Sequence, residues 1–408
     1  MMLLSKEPGP PPLNEEIEKL VERLIHLMEA HPVSSDGLGS GRAGQAMVYF
    51  YYASSFGEKA YEEKGLVLLE QVFENIEAGS ASIKAPDFYG GVAGLLSVLN
   101  NLKKNNFLGI DLTDFDRLDE MVYEWAIGQL DKRNVDFFYG AMGVFCYFIE
   151  RLPDEAIYLY VDRMVAKLAT LFDDKAGCFA IVNAFYNKAD KRYIEEINFS
   201  LAHGMASVIL NLANLHNTGY EKNNIKDLIY NATEYLLRVT SADRPELPYC
   251  FVGSIDCDNK KTSVQHRLGW CFSDLNILHL LYKASTVFPE SGWEKIAGSS
   301  AKVVVTRQTQ EDTLVKDPFL CHGAAGVSHY YQVLYQLTGN DLFWQAQQYW
   351  LGETLNYFKD IDEKYFESEA YKKTGHIHSF FYGLPGVILC LIAARDPMYS
   401  NWSKIILL

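Results

Sequence analysis

The chain has 408 residues, of which 49% are hydrophobic and 22% charged, and its formal net charge is −15. This is the composition of an ordinary globular protein, and the acidic balance argues against a general nucleic-acid binder, since phosphate contacts need clustered Lys and Arg. No run of 18 or more apolar residues occurs, so no transmembrane segment is predicted and a cytoplasmic location is expected.

The N-terminal segment, residues 1–13, carries a proline-rich run and no apolar signal core. We predict a flexible extension there, followed by a single domain over residues 14–408, because no linker is evident farther along. The first predicted helix covers residues 14–30. Its apolar residues recur at i, i+3, i+4 and i+7, which is the spacing of an amphipathic helix.

A repeated unit of 49 to 69 residues then fills the rest of the chain. Seven apolar segments of helical length alternate with seven more polar, amphipathic stretches. Five apolar segments open with the motif G-x-x-G, the fourth keeps only its first glycine, and the fifth has neither. The apolar segments start at Gly41, Gly91, Gly140, Gly204, Ser273, Gly323 and Gly383. The amphipathic stretches are predicted at 14–30, 59–77, 115–130, 154–172, 223–239, 292–308 and 341–359.

This alternation predicts an all-α fold made of helix pairs. A helix that is apolar nearly all round is buried, and an amphipathic helix covers a buried layer. We therefore predict an α/α toroid, a double ring of seven inner and seven outer helices whose inner N-termini share one mouth. An open solenoid is the alternative, but it would need polar capping repeats. The first and last apolar segments are as apolar as the middle ones, which favours a closed ring.

One predicted insertion, residues 241–266, separates the fourth repeat from the fifth. It is rich in Pro, Gly and Asp punctuation. Such a segment is either a lid or peptide-binding element or a plain surface loop.

Two cysteines and a histidine stand at the starts of neighbouring repeats, with Cys271 before the fifth apolar segment and Cys321 and His322 before the sixth. Thiolate and imidazole are ligands of tetrahedral zinc, and three protein ligands leave a fourth position open for chemistry. We therefore predict one zinc ion bound by these three residues. Two thiolates and a neutral imidazole cancel its charge, so a thiol bound in the fourth position would be held as a nucleophilic thiolate. The competing interpretation is two buried, inert cysteines.

Three further polar residues precede apolar segments and are expected at the same mouth. His203 could exchange a proton at neutral pH or cap a helix. Asp136 holds the place in its repeat that Asp87 holds in the second, and both could be helix N-caps. Arg267 could stabilise a developing negative charge or pair with a surface carboxylate.

These motifs, together with the seven repeats, resemble the lanthionine synthetase C-like family, the lanthipeptide cyclases, over about residues 14–395. The specific motifs are Leu-Ala-His203-Gly, Arg267-x-x-Trp270-Cys271 and Cys321-His322-Gly323. The resemblance implies an α/α toroid with one catalytic zinc. It also assigns the zinc ligands to Cys271, Cys321 and His322, the acid/base histidine to His203, the aspartate to Asp136 and the arginine to Arg267.

The resemblance implies the reaction as well. In the family, a peptide cysteine adds to dehydroalanine or dehydrobutyrine in a Michael addition that closes a thioether ring. The expected substrate is therefore a dehydrated precursor peptide, and the expected partner is a separate dehydratase.

Three alternatives stay open at this point. One is a family member that adds a free thiol, such as glutathione, to dehydroamino acids. Another is an α-toroid of the protein prenyltransferase type, whose ligands include a carboxylate; Asp274 is near, but the adjacent Cys-His argues against it. The third is a non-catalytic, zinc-containing scaffold that binds peptides.

The sequence departs from the family pattern at two places. Tyr-Gly often follows the zinc cysteine in the family, but here Phe272-Ser273 follows it, and Ser207 stands where a second glycine is usual. These changes put the placement of the proton-transfer network in doubt, but they remove no predicted zinc ligand.

Overall fold

The computed structural model describes residues 14–179, 181, 183–187, 192–222, 224–243, 251–257, 262–263, 267–373 and 375–408. Within these ranges the helices are α1 (Asn14–Glu29), α2 (Arg42–Phe56), α3 (Lys59–Glu77), α4 (Val92–Lys104), α5 (Asp116–Asp131), α6 (Ala141–Arg151), α7 (Glu155–Thr170), α8 (Met205–His216), α9 (Ile225–Asp243), α10 (Asp274–Val287), α11 (Trp293–Val304), α12 (Gln310–Thr313), α13 (Ala324–Thr338), α14 (Asp341–Asp360), α15 (Glu363–Glu367), α16 (Glu369–Lys372) and α17 (Leu384–Arg395). Three 3₁₀ helices span Leu112–Phe115, Pro289–Ser291 and Pro397–Ile406.

The predicted extension, residues 1–13, and much of the predicted insertion 241–266 lie outside the described residues. The assignment of residues 14–408 to a single domain stays a prediction. No helix in the described part of the chain combines the length and the apolar character needed to cross a membrane.

The inner ring consists of α2, α4, α6, α8, α10, α13 and α17, and each of these helices is buried over most of its length. Each begins directly after one of the seven starts predicted from the sequence, and that residue is the N-cap, in extended conformation. The outer ring consists of α1, α3, α5, α7, α9, α11 and α14. The predicted α/α toroid is confirmed.

A circle of backbone hydrogen bonds joins the loops that precede the inner helices. In each repeat, the carbonyl two residues before the N-cap accepts from the loop of an adjacent repeat. The seven bonds run from N–H to oxygen as Gly39 to Tyr89, Phe88 to Phe138, Phe137 to Ala202, Ala202 to Cys271, Trp270 to Cys321, Cys321 to Phe381 and Phe380 to Gly39, at 2.6–3.1 Å. The last bond ties the seventh repeat to the first, which excludes an open solenoid.

The second glycine of G-x-x-G serves close backbone packing. A Cβ at Gly94 or Gly326 would overlap the carbonyl oxygen three residues before the N-cap of its own repeat. The fifth repeat replaces this contact with a hydrogen bond, because Asn276 Nδ2 donates to the equivalent carbonyl, that of Trp270, at 2.8 Å. Asn276 also forms a capping box with Ser273. The missing glycines therefore leave the loop geometry of this repeat intact.

Short strands between the seventh and the tenth helix were not predicted from the sequence. Strands β1 (Phe172–Asp173) and β2 (Cys178–Phe179) form a small hairpin, and β3 (Asn183–Asn187), β4 (Arg192–Asn198), β5 (Ser254–Asp256) and β6 (Thr262–Ser263) form an antiparallel sheet in that order. The latter two strands come from the predicted insertion. Because β4 runs directly into the loop that carries His203, and β5 lies shortly before Arg267, the sheet borders the mouth of the ring.

Candidate functional site

The predicted site residues lie on adjacent loops at one mouth of the ring. Cys271 and Cys321 hold equivalent places two residues before their N-caps, and His203 and His322 hold equivalent places one residue before theirs. The circle of hydrogen bonds sets these loops side by side, since the carbonyl of Cys271 accepts from the fourth-repeat loop at 3.0 Å and that of Cys321 from the fifth-repeat loop at 2.7 Å. Residues about 120 positions apart are thereby brought together.

The two thiols are unequal. Cys321 is fully buried, and its Sγ lies 3.4 Å from the Tyr382 hydroxyl, whereas Cys271 is partly exposed. The pKa of Cys271 is lowered to about 6, chiefly because the Cys321 thiol hydrogen-bonds to it, with the charges of His322 and His203 favouring the thiolate as well. Burial raises the pKa of Cys321. Of the two sulfurs, the surroundings therefore favour the thiolate at Cys271.

His322 is set in place by its neighbours. Its Nδ1 lies 3.6 Å from Oδ2 of Asp317, and its ring packs 5.4 Å from the ring of Tyr382, between centroids. Asp317 in turn accepts the backbone N–H of Phe319 at 2.9 Å. A carboxylate beside an imidazole is a common arrangement for fixing the orientation of a metal-binding histidine. Asp317 and Tyr382 were not predicted from the sequence, although both stand in the loops just before repeat starts.

The fit of this centre to zinc rests on the chemistry of its donors. The thiols of Cys271 and Cys321 are in contact, and His322 follows Cys321 in the sequence. Two thiols and an imidazole are a donor set that zinc prefers. In the described part of the chain, however, no group of three or more His, Cys, Asp or Glu side chains is arranged as a metal site. The assignment of zinc to Cys271, Cys321 and His322 therefore stays a prediction.

His203 and Asp136 form a second polar unit at the mouth. Nδ1 of His203 lies 2.6 Å from Oδ2 of Asp136, whose Oδ1 accepts the backbone N–H groups of Phe138 and Tyr139, both at 2.8 Å. Burial lowers the pKa of His203, but the hydrogen bond and the charge of Asp136 raise it more, so the net pKa lies above the usual value. The N-cap of this repeat is Gly140, not Asp136. Asp136 is therefore the partner of the His203 ring and not the N-cap of the helix.

Arg267 lies close enough for its charge to favour the Cys271 thiolate. It is partly buried, and its Nε has no hydrogen-bond partner among the described residues. It forms no ion pair with a carboxylate in that same part of the chain, so the alternative of a surface ion pair finds no support. A guanidinium group beside the thiols that pairs with no described carboxylate is able to stabilise a new negative charge.

Gly269 provides a test of how tightly the thiol loops pack. A Cβ there would lie 2.8 Å from Cα of His322 and 2.9 Å from the carbonyl oxygen of Cys321. We expect Gly269→Ala to push these loops apart and to lower the free energy of unfolding by about 1–3 kcal/mol, measured by denaturant unfolding. The control is Gly298→Ala on α11, where a Cβ would meet only the Tyr282 hydroxyl at 3.7 Å. Equal stability of the two variants would contradict this packing.

The fold and the site together define an α/α toroid that gathers thiols, imidazoles and a guanidinium at one mouth of its ring. Comparison with known proteins places it further: the chain belongs to the lanthionine synthetase C-like family, whose family model matches residues 32–407. The predicted resemblance is thereby confirmed.

The solved structure of nisin cyclase agrees on the fold. Nisin cyclase is 16% identical in sequence, the match covers 97% of each chain, and the TM-score is 0.75. The α-1,6-mannanase from Salegentibacter sp. HEL1_6 is 11% identical, with 93% of this chain and 99% of that chain covered, at a TM-score of 0.43. A search of curated proteins found no match. The family assignment supports the predicted enzyme class, a cyclase that forms thioethers.

Proposed function

We propose that this protein is a zinc-dependent lanthipeptide cyclase, which adds peptide cysteine thiols to dehydroalanine or dehydrobutyrine and closes thioether rings. The observation that carries the proposal is the convergence of the Cys271–Cys321 pair and the His203–Asp136 pair at one mouth of the ring. A Michael addition needs a thiolate, a place for negative charge and a proton donor. The thiol centre would hold the thiolate of the substrate, Arg267 beside it would stabilise the negative charge, and His203 would donate the proton.

The nucleophile is the thiolate of a substrate cysteine. Zinc held by Cys271, Cys321 and His322 would supply a Lewis acid that keeps this thiol deprotonated at neutral pH. Asp317 orients the imidazole of His322, and the Tyr382 hydroxyl fixes the sulfur of Cys321. These contacts support a centre whose protein ligands are pre-positioned for a fourth, exchangeable ligand.

His203 and Arg267 act on the dehydroamino acid that the thiolate attacks. When sulfur attacks the β-carbon, the carbon–sulfur bond forms, the carbon–carbon π bond breaks and its electron pair moves onto the enolate oxygen. Arg267, whose charge already favours a thiolate at Cys271, stabilises the negative charge on that oxygen. The imidazolium of His203 then delivers a proton to the α-carbon, and Asp136 holds the ring in place for this transfer.

The raised pKa of His203 gives this assignment a pH signature. Because the protonated form is the acid, activity is expected to fall as pH rises through the pKa of His203. Asp136→Asn removes the carboxylate charge that raises this pKa. We therefore expect the alkaline limb of the rate–pH profile to move to lower pH in that variant. A profile with an unmoved alkaline limb would argue against His203 as the acid.

The direct test of the function uses a dehydrated, cysteine-containing peptide. Ring closure consumes a thiol without changing the peptide mass, so we expect fewer alkylation adducts by mass spectrometry after incubation with the protein. Unchanged thiol content would refute the cyclase and leave the binding scaffold. With glutathione added, a mass gain of one glutathione would instead identify intermolecular addition.

A separate dehydratase would supply the substrate, since dehydroamino acids arise from Ser and Thr by loss of water. A cytoplasmic location, where precursor peptides are made, belongs to the same proposal.

A further inference from the structure

A cavity lies toward the opposite end of the ring from the thiols. It has a volume of about 550 Å³ and is lined by residues from the later turns of inner helices, by His279 near the middle of α10 and by residues of the 3₁₀ helix Pro397–Ile406. The thiols and His203 precede the first turns of the same helices. Because an α-helix rises 1.5 Å per residue, inner helices of 11–15 residues separate the two regions by roughly 20 Å. The cavity is therefore distinct from the candidate active site.

The charged side chains of this cavity do not balance. Lys104, Lys283 and Lys404 line it, against a single acidic side chain, Glu150. Lys104 already pairs with Glu150 at 3.0 Å. Neither Lys283 nor Lys404 forms an ion pair within the described residues, although the C-terminal residue, Leu408, also lines the cavity. Among the described residues, two ammonium groups therefore face this space without a paired carboxylate.

A buried histidine forms part of the cavity wall. His279 is 2% exposed, and neither of its ring nitrogens has a hydrogen-bond partner in the described part of the chain. It lies one helical turn before Lys283 on α10, so both side chains are on the same face. Burial lowers the pKa of His279 to about 3, which leaves a neutral ring with one donor and one acceptor. Both ring nitrogens are enclosed by protein atoms, so His279 forms part of the wall and a bound ligand would meet the lysines.

We propose that this cavity is a binding site for a small phosphate-bearing molecule, held by Lys283 and Lys404. Ammonium groups bind phosphate oxygens as point charges, and Lys283 lies partly buried in the wall while Lys404 is exposed. Asn217 and Ser403 add polar groups to the wall for the rest of the ligand. The competing role for the lysines is to neutralise the carbonyl ends of the inner helices.

Calorimetric titration of the full chain with inorganic phosphate, at constant ionic strength, tests the site. Lys283→Met keeps the aliphatic stem and removes the charge, so we expect phosphate affinity to fall about tenfold or more. Lys302→Met, an exposed lysine on α11, is the matched control and should bind phosphate as the unmodified chain does. Cys321→Ala should also bind phosphate normally, which separates this site from the metal centre.

Three outcomes would overturn the proposal. The first is an absence of saturable phosphate binding, which would leave the lysines as helix-neutralising groups only. The second is equal affinity in Lys283→Met and the unmodified chain. The third is loss of binding in Cys321→Ala, which would place the phosphate at the opposite mouth.

Discussion

Replacing Cys321 with alanine is expected to abolish zinc binding and to lower the rate of thioether formation by at least about 100-fold. Cys321 is the buried member of the thiol pair, its carbonyl accepts from the fifth-repeat loop, and its sulfur contacts Cys271. Removing it leaves one thiol and one imidazole, too few ligands for a tight tetrahedral site. Metal analysis of the purified variant should give no bound zinc, against one zinc per unmodified chain.

A second buried cysteine provides the control. Cys390 lies in the interior of α17, far along the helix from the mouth, and it is also almost fully buried. Cys390→Ala removes the same sulfur atom from a packed environment, so it should lower stability slightly and retain both zinc and activity. Stoichiometric zinc in Cys321→Ala would refute the ligand assignment, whatever the activity.

The second large effect is expected for His203→Ala, which should keep its zinc and lose ring closure. A positioned general acid typically contributes 10²–10⁴-fold, and we expect a rate loss of about that size. The side chain is 45% exposed, so its removal leaves no large cavity, and folding should be nearly unaffected. Quenched time courses of thiol consumption would give the rate, and metal analysis would give the zinc content.

A matched histidine substitution controls for effects that any change of histidine to alanine would have. His26 is exposed on α1 in the outer ring, so His26→Ala changes the same residue type away from the mouth. It should retain full activity. If His203→Ala also closed rings at the full rate, another group would have to deliver the proton to the α-carbon. The combination of lost zinc and lost activity in His203→Ala would instead make this histidine part of the metal centre.

Most of the toroid could be predicted from the sequence because its repeat is strict. Small residues at fixed offsets mark every inner helix, and all seven predicted starts are N-caps in the structure. The strands escaped notice because β3 and β4 are short and lie between long helical segments, whose periodicity dominates the pattern.

The site was less predictable than the fold. Cys271, Cys321 and His322 were identified from equivalent positions in the repeat, and His203 and Asp136 were identified separately. The hydrogen bond between His203 and Asp136 could not be deduced from the sequence, since 67 residues separate the two. The role of Asn276 in the fifth repeat could not be predicted, because this residue does not match the G-x-x-G motif. Its hydrogen bond to the Trp270 carbonyl depends on tertiary geometry. Side-chain contacts of this kind have no periodic signature.

The hydrogen bond from Phe380 to Gly39 makes the order of the repeats cyclic. No repeat is terminal at the mouth, so the chain could in principle start at another outer loop and still form every bond of the circle. A circular permutant with new ends between α13 and α14 would keep the thiols and the histidine on neighbouring loops. In this architecture, the geometry of the mouth depends on which repeats are neighbours around the ring and not on where synthesis begins.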